Sequence, residues 1–146
     1  MKYRLAVASD IPALCAIEEA QPSCAQWGAA GWKTEMETTA GAILCAQEEA
    51  AAGLAGFIAW RQAAGVCEIL NVGVAPAWCR QGVGYQLLVQ AIERMQRQGA
   101  ENITLEVSVL NLPALRLYQK AGFVKVGVRK NFYNGQEDAC IMRLVK

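Results

Sequence analysis

Hydrophobic and polar residues follow two different periods along this chain, and the changes of period mark its elements. Residues 102–107 alternate strictly, with Ile103, Leu105 and Val107 on one face and Thr104, Glu106 and Ser108 on the other. That is the period of a half-buried strand. Upstream, Val83, Leu87, Leu88, Ala91, Ile92 and Met95 recur at helical spacing and mark one buried stripe. Gly99 supplies a left-handed stop for this helix, and Arg94 and Arg97 sit near the negative end of its dipole. Ahead of the helix, Ile69, Leu70, Val72 and Val74 form a strand that Pro76 and Ala77 break. Residues 80–84, Arg-Gln-Gly-Val-Gly, then lead into the helix without a spacer.

The rest of the chain reads in the same way. Residues 3–8 form a short first strand. Asp10 is placed to cap a helix that carries Pro12 in its first turn and Ile11, Leu14 and Ile17 on one face, until Pro22 and Ser23 interrupt it. Residues 27–38 form a second helix anchored by Trp27 and Trp32 and weakened by Gly28 and Gly31. Strands at 42–47, 54–60 and 66–74 are joined by short turns, which implies an antiparallel meander. After the alternating strand, Asn111 caps a short helix with Pro113 in its first turn and Gly122 just past its end. Strands at 123–128 and 138–145 follow, joined around Asn134 and Gly135. The prediction is a single domain over residues 1–146, a mixed α/β (α+β) fold with a largely antiparallel sheet flanked by helices.

Composition narrows the chemistry. With 146 residues and 54% apolar content the chain can bury a sizeable core. A net charge of +1 without a basic block gives no nucleic-acid surface, so no direct nucleic-acid binding is predicted. There is no run long and apolar enough for a transmembrane helix, and residues 1–4 lead into a strand without a signal-peptide core. The expected location is the cytoplasm, with no membrane partner. The six cysteines form no CxxC pair and are expected as reduced thiols acting as small hydrophobes. Histidine is absent, which removes Ser-His-Asp and Cys-His catalysis in their usual forms and any His-containing metal site. No metal is expected. Proton transfer falls to Glu, Asp, Tyr, Cys, Lys or water.

Each chemical candidate has a plain alternative when taken alone. The positive end of the helix after Gly84 carries N–H groups without helical partners and without crowding side chains, which suits a phosphate or pyrophosphate. Glycine also occurs at strand-to-helix junctions for steric reasons. The loop is neither a P-loop, lacking Gly-Lys-Ser/Thr, nor a dinucleotide fingerprint, whose spacing differs. Glu106 alone is a carboxylate on a sheet surface, Tyr118 alone a helix aromatic packing on the sheet, and Asn111 alone a helix cap.

Together these stretches resemble the GNAT superfamily of acetyl-CoA-dependent N-acetyltransferases, and within it the RimI-type enzymes that acetylate the N-terminal alanine of a small-subunit ribosomal protein. The matching stretches are EILNVGV, RQGVGYQLL, ITLEVSVLN, ALRLYQKAGF and VGVRKNFYNGQEDACIMRL, which cover most of positions 68–144. The resemblance implies a splay between the strand at 71–74 and the strand at 105–108. It assigns the pyrophosphate of acetyl-CoA to Arg80, Gln81, Gly82, Val83 and Gly84, and the pantetheine arm to the backbone of Val72 and Val74, with Asn111 facing the thiol end. Cys79 stands where the family pattern has Gln or Arg. Glu106 matches the general base and Tyr118 the general acid of a direct attack within a ternary complex. Arg129, Asn131 and Tyr133 match the segment that lines the peptide groove, beside Phe132 and Asn134. Glu35 and Glu37 are either a contact for a basic peptide residue or plain helix-surface charge. The implied acceptor is a protein or peptide N-terminus, such as that of a ribosomal protein. A free α-amine titrates near ~7.7–8.0 and lysine near ~10.4, so deprotonation costs the α-amine roughly 3.4 kcal/mol less. The competing expectations are acetylation of a small amine or a protein lysine, and a non-catalytic acetyl-CoA-binding sensor domain.

Overall fold

The positions that alternate on one face and recur at helical spacing on the next element fix how helices and sheet are layered. The computed structural model describes residues 1–49, 53–133 and 137–145. Strands β1 (Lys2–Leu5), β2 (Gly41–Gln47), β3 (Leu54–Ala63), β4 (Val66–Val74), β5 (Asn102–Ser108), β6 (Phe123–Tyr133) and β7 (Glu137–Leu144) form one sheet in the order β1-β2-β3-β4-β5-β7-β6. Every neighbouring pair is antiparallel except β4 and β5, which run parallel. Helices α1 (Ile11–Ala20) and α2 (Gly28–Glu37) cover one face, and α3 (Val83–Arg97) and α4 (Leu112–Lys120) cover the other. This is the mixed, largely antiparallel α/β architecture expected.

Two cores result, one on each side of the sheet. Val83, Leu87, Leu88, Ala91 and Met95 of α3 pack with Ile103, Leu105 and Val107 of β5, together with Trp60, Phe123 and Met142. Ile92, expected on that stripe, is half-buried at its border. On the opposite face Leu14 and Ile17 of α1 and Trp32 of α2 pack on Ile43, Phe57 and Ala59. Trp32 meets Trp27 and Phe57 edge-on, with ring centroids 4.7 and 4.8 Å away. Aromatic pairs prefer that arrangement because the positive ring edge meets the negative face.

Three expectations need correction. The first strand ends at Leu5, and residues 8–10 form a 3-10 turn. Asp10 gives α1 no side-chain cap. Its carboxylate instead accepts two bonds from the Arg4 guanidinium, at 2.8 and 2.9 Å, and one from the Val7 N–H at 2.8 Å. The fork outcompetes a cap because it is bidentate and both partners are ionised, whereas a cap would offer the carboxylate a neutral N–H. Finally, β3 and β6 run on to Ala63 and Tyr133, beyond the predicted 60 and 128, because their neighbours continue the ladder where the apolar pattern stops. The turn expected at Asn134 and Gly135 lies outside the described residues.

One irregularity prepares the site. Ala59 pairs with Asn71 but Trp60 pairs with Ile69, so Leu70 is an extra residue in β4. Such a bulge bends its strand and raises the local twist. It also reverses the facing of the residues that follow: Cys67 and Ile69 join the α3-side core, and after Leu70 it is Val72 and Val74 that pack against it. The pairing of β4 with β5 ends at Ile69 and Leu105, at the bulge. From there the two central strands are unpaired with each other, which is the expected splay.

Candidate active site

The opening between β4 and β5 is bounded by backbone on one side and by side chains on the other. The Ala75 N–H donates to the Ala55 carbonyl at 2.8 Å, and antiparallel bonds alternate, so Gly73 and Asn71 bond to β3 while Val72 and Val74 point their backbone groups away from it. The carbonyls of both residues are claimed. Gln21 Nε2 donates to the Val74 oxygen at 2.9 Å, and the Cys24 thiol donates to the Val72 oxygen at 3.2 Å. The N–H groups of Val72 and Val74 remain as donors facing the opening.

The segment carrying Gln21 and Cys24 is tied down at several points. The buried Asn71 side chain exchanges two 3.2 Å bonds with the Ala25 backbone. The Glu18 carboxylate, 2% exposed, accepts from the N–H groups of Trp27 and Gly28 at 2.9 and 2.8 Å and thereby caps α2 from a neighbouring helix. Gly73 allows this strap to lie close: a Cβ there would stand 2.6 Å from the Phe57 ring and 3.0 Å from Cys24 Sγ. Burial, with Glu18 nearby, pushes the Cys24 thiol up to about 11, so it stays a hydrogen-bond donor.

At the far end of β4 the chain makes a 3-10 turn over Pro76–Trp78 and reaches the glycine loop. Arg80 and Gly82 take positive φ angles of 64° and 81°, and Gly82 is the N-cap of α3. A left-handed residue at that place turns successive N–H groups to one side. Among the described residues, none of the N–H groups from Arg80 to Gly84 has an acceptor. Gly84 packs against Val74 and Leu117, where a Cβ would stand in ordinary contact at 3.4 and 3.6 Å, whereas a Cβ at Gly82 would meet nothing within 4 Å, so the loop is open on that side. Gln81 turns back to the Ala77 carbonyl at 2.9 Å. Cys79 is exposed, with its sulfur 3.6 Å from the Ala75 oxygen and 3.5 Å from Gln21 Nε2. The loop is a backbone cradle for an anion.

On β5 the alternation holds: Glu106 lies on the face opposite Ile103, Leu105 and Val107, which is the α1–α2 face, one residue past the last pairing with β4. Its carboxylate is paired with Arg129 at 2.8 Å. Strand order explains this contact. Glu106 pairs with Ile141 of β7, Ile141 pairs with Gly127 of β6, and Arg129 lies two residues further along the same face. Tyr118 sits across the sheet on α4, buried at 8% exposure, with its ring 5.9 Å from Phe123. Asn111 caps α4 through Oδ1, which accepts from the Ala114 N–H at 3.3 Å. Glu35 is paired with Arg61 as a charge on the helix surface. The side chains of Asn131, Phe132 and Tyr133, and Asn134, lie outside the described residues.

Residues 11–123 match the model of the acetyltransferase (GNAT) family. The chain belongs to that family. GNAT acetyltransferases use acetyl-CoA, and the N–H row at 80–84 with open space at Gly82 fits a pyrophosphate. The Escherichia coli protein named [ribosomal protein bS18]-alanine N-acetyltransferase is 38% identical over 79 residues, covering 52% of this chain and 53% of its own. A Bacillus subtilis protein with the same name, marked putative, is 42% identical over 77 residues, covering 51% and 50%. The chain thus spans about half the length of these curated relatives in alignment. The solved structure of the Escherichia coli ribosomal-protein-S18-alanine N-acetyltransferase superposes over 98% of this chain and 92% of that one, with a TM-score of 0.86 at 26% identity. Among the described residues no helix is long and apolar enough to cross a membrane.

Sequence reasoning missed Glu18, Gln21 and Cys24 as the strap over β4. Only Asn71 offered a signal, as a polar residue inside an apolar strand.

Proposed function

We propose that this GNAT protein transfers the acetyl group of acetyl-CoA to a protein N-terminal α-amine, in the manner of the ribosomal-protein alanine acetyltransferases it resembles. The observation that carries the reading is the opening of the sheet. Glu106 and Tyr118 lie on opposite faces, and a base and an acid so placed serve one reaction only where the strands between them part, which they do after Leu105.

The residues divide the work. The backbone of Arg80, Gln81, Gly82, Val83 and Gly84 holds the pyrophosphate, and the N–H groups of Val72 and Val74 receive the carbonyls of the pantetheine arm and of the thioester. Asn111 borders the thiol end. Acetyl-CoA supplies an activated acyl group, so the chain needs no nucleophile of its own. Glu106 takes the proton of the acceptor amine, directly or through water, and the Tyr118 hydroxyl returns a proton to the departing thiolate. Tyr133 and Asn131 are assigned to the peptide side of the opening, Arg129 to the carboxylate itself. A carboxylate base suits a weakly basic α-amine. A cytoplasmic location goes with this reading.

The test is CoA release from acetyl-CoA with a peptide that begins with the ribosomal alanine, against the same peptide with its α-amine blocked and a lysine left open. Release only with the open α-amine supports the assignment. Release with both moves the acceptor to lysine or amines in general. Tyr118→Phe should lower kcat by about 10²-fold or more while acetyl-CoA affinity stays within about twofold. Unchanged turnover removes Tyr118 from the acid role.

A further inference from the structure

The ion pair between Glu106 and Arg129 bears on which amines the site accepts. This step rests on the reading that Glu106 faces the acceptor. A lone carboxylate in a partly buried cleft attracts any ammonium, and it holds the most basic amines most firmly in their unreactive, protonated form. Here the carboxylate is matched: Glu106, with its side chain 17% exposed, carries the Arg129 guanidinium at 2.8 Å. The buried Glu18 carboxylate, also on this face, is held by the Trp27 and Gly28 N–H groups, and Glu35 is paired with Arg61. Thr104, two residues before Glu106, is flanked in register by Glu68 on β4 and Arg143 on β7, one of each sign. Glu137, also on this face, is four residues from the Ile141 that pairs with Glu106, roughly 13 Å along the strand. That is beyond the screening length of about 8 Å at physiological salt.

We infer that Arg129 is a specificity-determining residue, which keeps the acceptor end of the opening electrically neutral and so favours an amine that arrives uncharged over alkylammonium ions such as lysine side chains and polyamines. An ammonium placed on Glu106 would stand about 5 Å from the guanidinium. With an effective dielectric between bulk water and ~20, the repulsion corresponds to between about 4-fold and about 300-fold in affinity. Arg129 is 56% exposed and can swing aside, which puts the expected effect near the lower end, at about tenfold.

The experiment titrates n-butylammonium and spermidine into the CoA-loaded protein by calorimetry, for the wild type, Arg129→Gln, Arg129→Lys and the double variant Glu106→Gln/Arg129→Gln. Arg129→Gln should tighten both ligands by about tenfold, Arg129→Lys should stay within about twofold of wild type, and the double variant should lose the gain. In turnover, Arg129→Gln should lower KM for the lysine peptide relative to KM for the α-amine peptide. Equal affinities in wild type and Arg129→Gln would overturn the proposal, as would a uniform loss in both single variants, which marks a merely structural pair. Absence of CoA release from the α-amine peptide by the wild type would instead sink the acceptor reading, while the ammonium titration still decides the role of Arg129.

Discussion

Removing the Glu18 carboxylate should loosen the strap over β4, and with it the cofactor edge of the site. Glu18 accepts two backbone bonds, from Trp27 and Gly28, at the start of α2. It is 2% exposed, so little water competes. Hydrogen bonds to a charged group contribute about 1.5–3 kcal/mol each. Part of that sum only offsets the cost of burying the carboxylate, which Glu18→Ala removes as well. The two N–H groups it leaves behind cost about 1–3 kcal/mol each unless water reaches them. The expected net loss is about 3 kcal/mol, or roughly 10 °C in Tm for a domain of this size. Glu18→Gln keeps one acceptor oxygen but turns an NH₂ toward the second N–H, and should cost about 2 kcal/mol. Urea unfolding followed by tryptophan fluorescence reads both, since Trp27 and Trp32 lie on the affected helix. Because Gln21, Cys24 and Ala25 lie between Glu18 and Trp27 and hold the β4 edge, KM for acetyl-CoA should rise more than KM for the acceptor peptide. A loss under about 1 kcal/mol with an unchanged denaturant slope would refute the view that this carboxylate ties α1 to α2.

Two further outcomes follow from the charges and thiols. The Arg4 guanidinium beside Asp10, with the Val7 N–H, holds its carboxyl below the usual carboxylate range against the opposing effect of burial. A depressed folded value stabilises above the unfolded pKa of about 3.9 and is lost as pH falls through the folded value, so Asp10→Asn should cost about 1–2 kcal/mol at pH 7 and converge with wild type in acid. Convergence on raising the pH instead would reverse the assignment. Among the thiols, burial pushes Cys24 up to about 11 and Cys45 up to about 12, while Cys79 is exposed beside the glycine loop. Iodoacetamide at pH 8 should modify Cys79 first, and acetyl-CoA should slow it; a second thiol reacting at the same rate would contradict the described burial.

What was legible in the chain was what a single face determines. The helix that became α3 and the strand that became β5 each bury one stripe against one layer, and their periods survive folding unchanged. The extent of β4 was legible too, but its bulge was not, although Ile69 and Leu70 stand side by side where strict alternation allows one. Asp10 misled because Asp before a proline-bearing turn is the signature of a cap. Arg4, six positions earlier, claimed it. Contacts across the sheet were illegible for a different reason. Gln21 reaches Val74 over 53 positions, and Arg129 reaches Glu106 only because β7 inserts between β5 and β6. Strand order is a property of the whole fold, and no local period encodes it.

The strap and the glycine loop together give the stretch from Val72 to Gly84 one chemical sense. A bare strand edge offers donors and acceptors alternately, and would bind any extended amide in either direction. Here side chains from the α1–α2 segment occupy the two carbonyls, and the loop beyond adds N–H groups turned outward by Arg80 and Gly82. The open edge therefore offers mainly donors, and it suits a ligand that presents acceptors along it: carbonyl oxygens near β4 and phosphate oxygens at α3. That order of groups is the order in acetyl-CoA from thioester to pyrophosphate. On the proposed reading, Gln21 serves the site without touching a reacting atom, by engaging the Val74 carbonyl beside the donors that face the ligand.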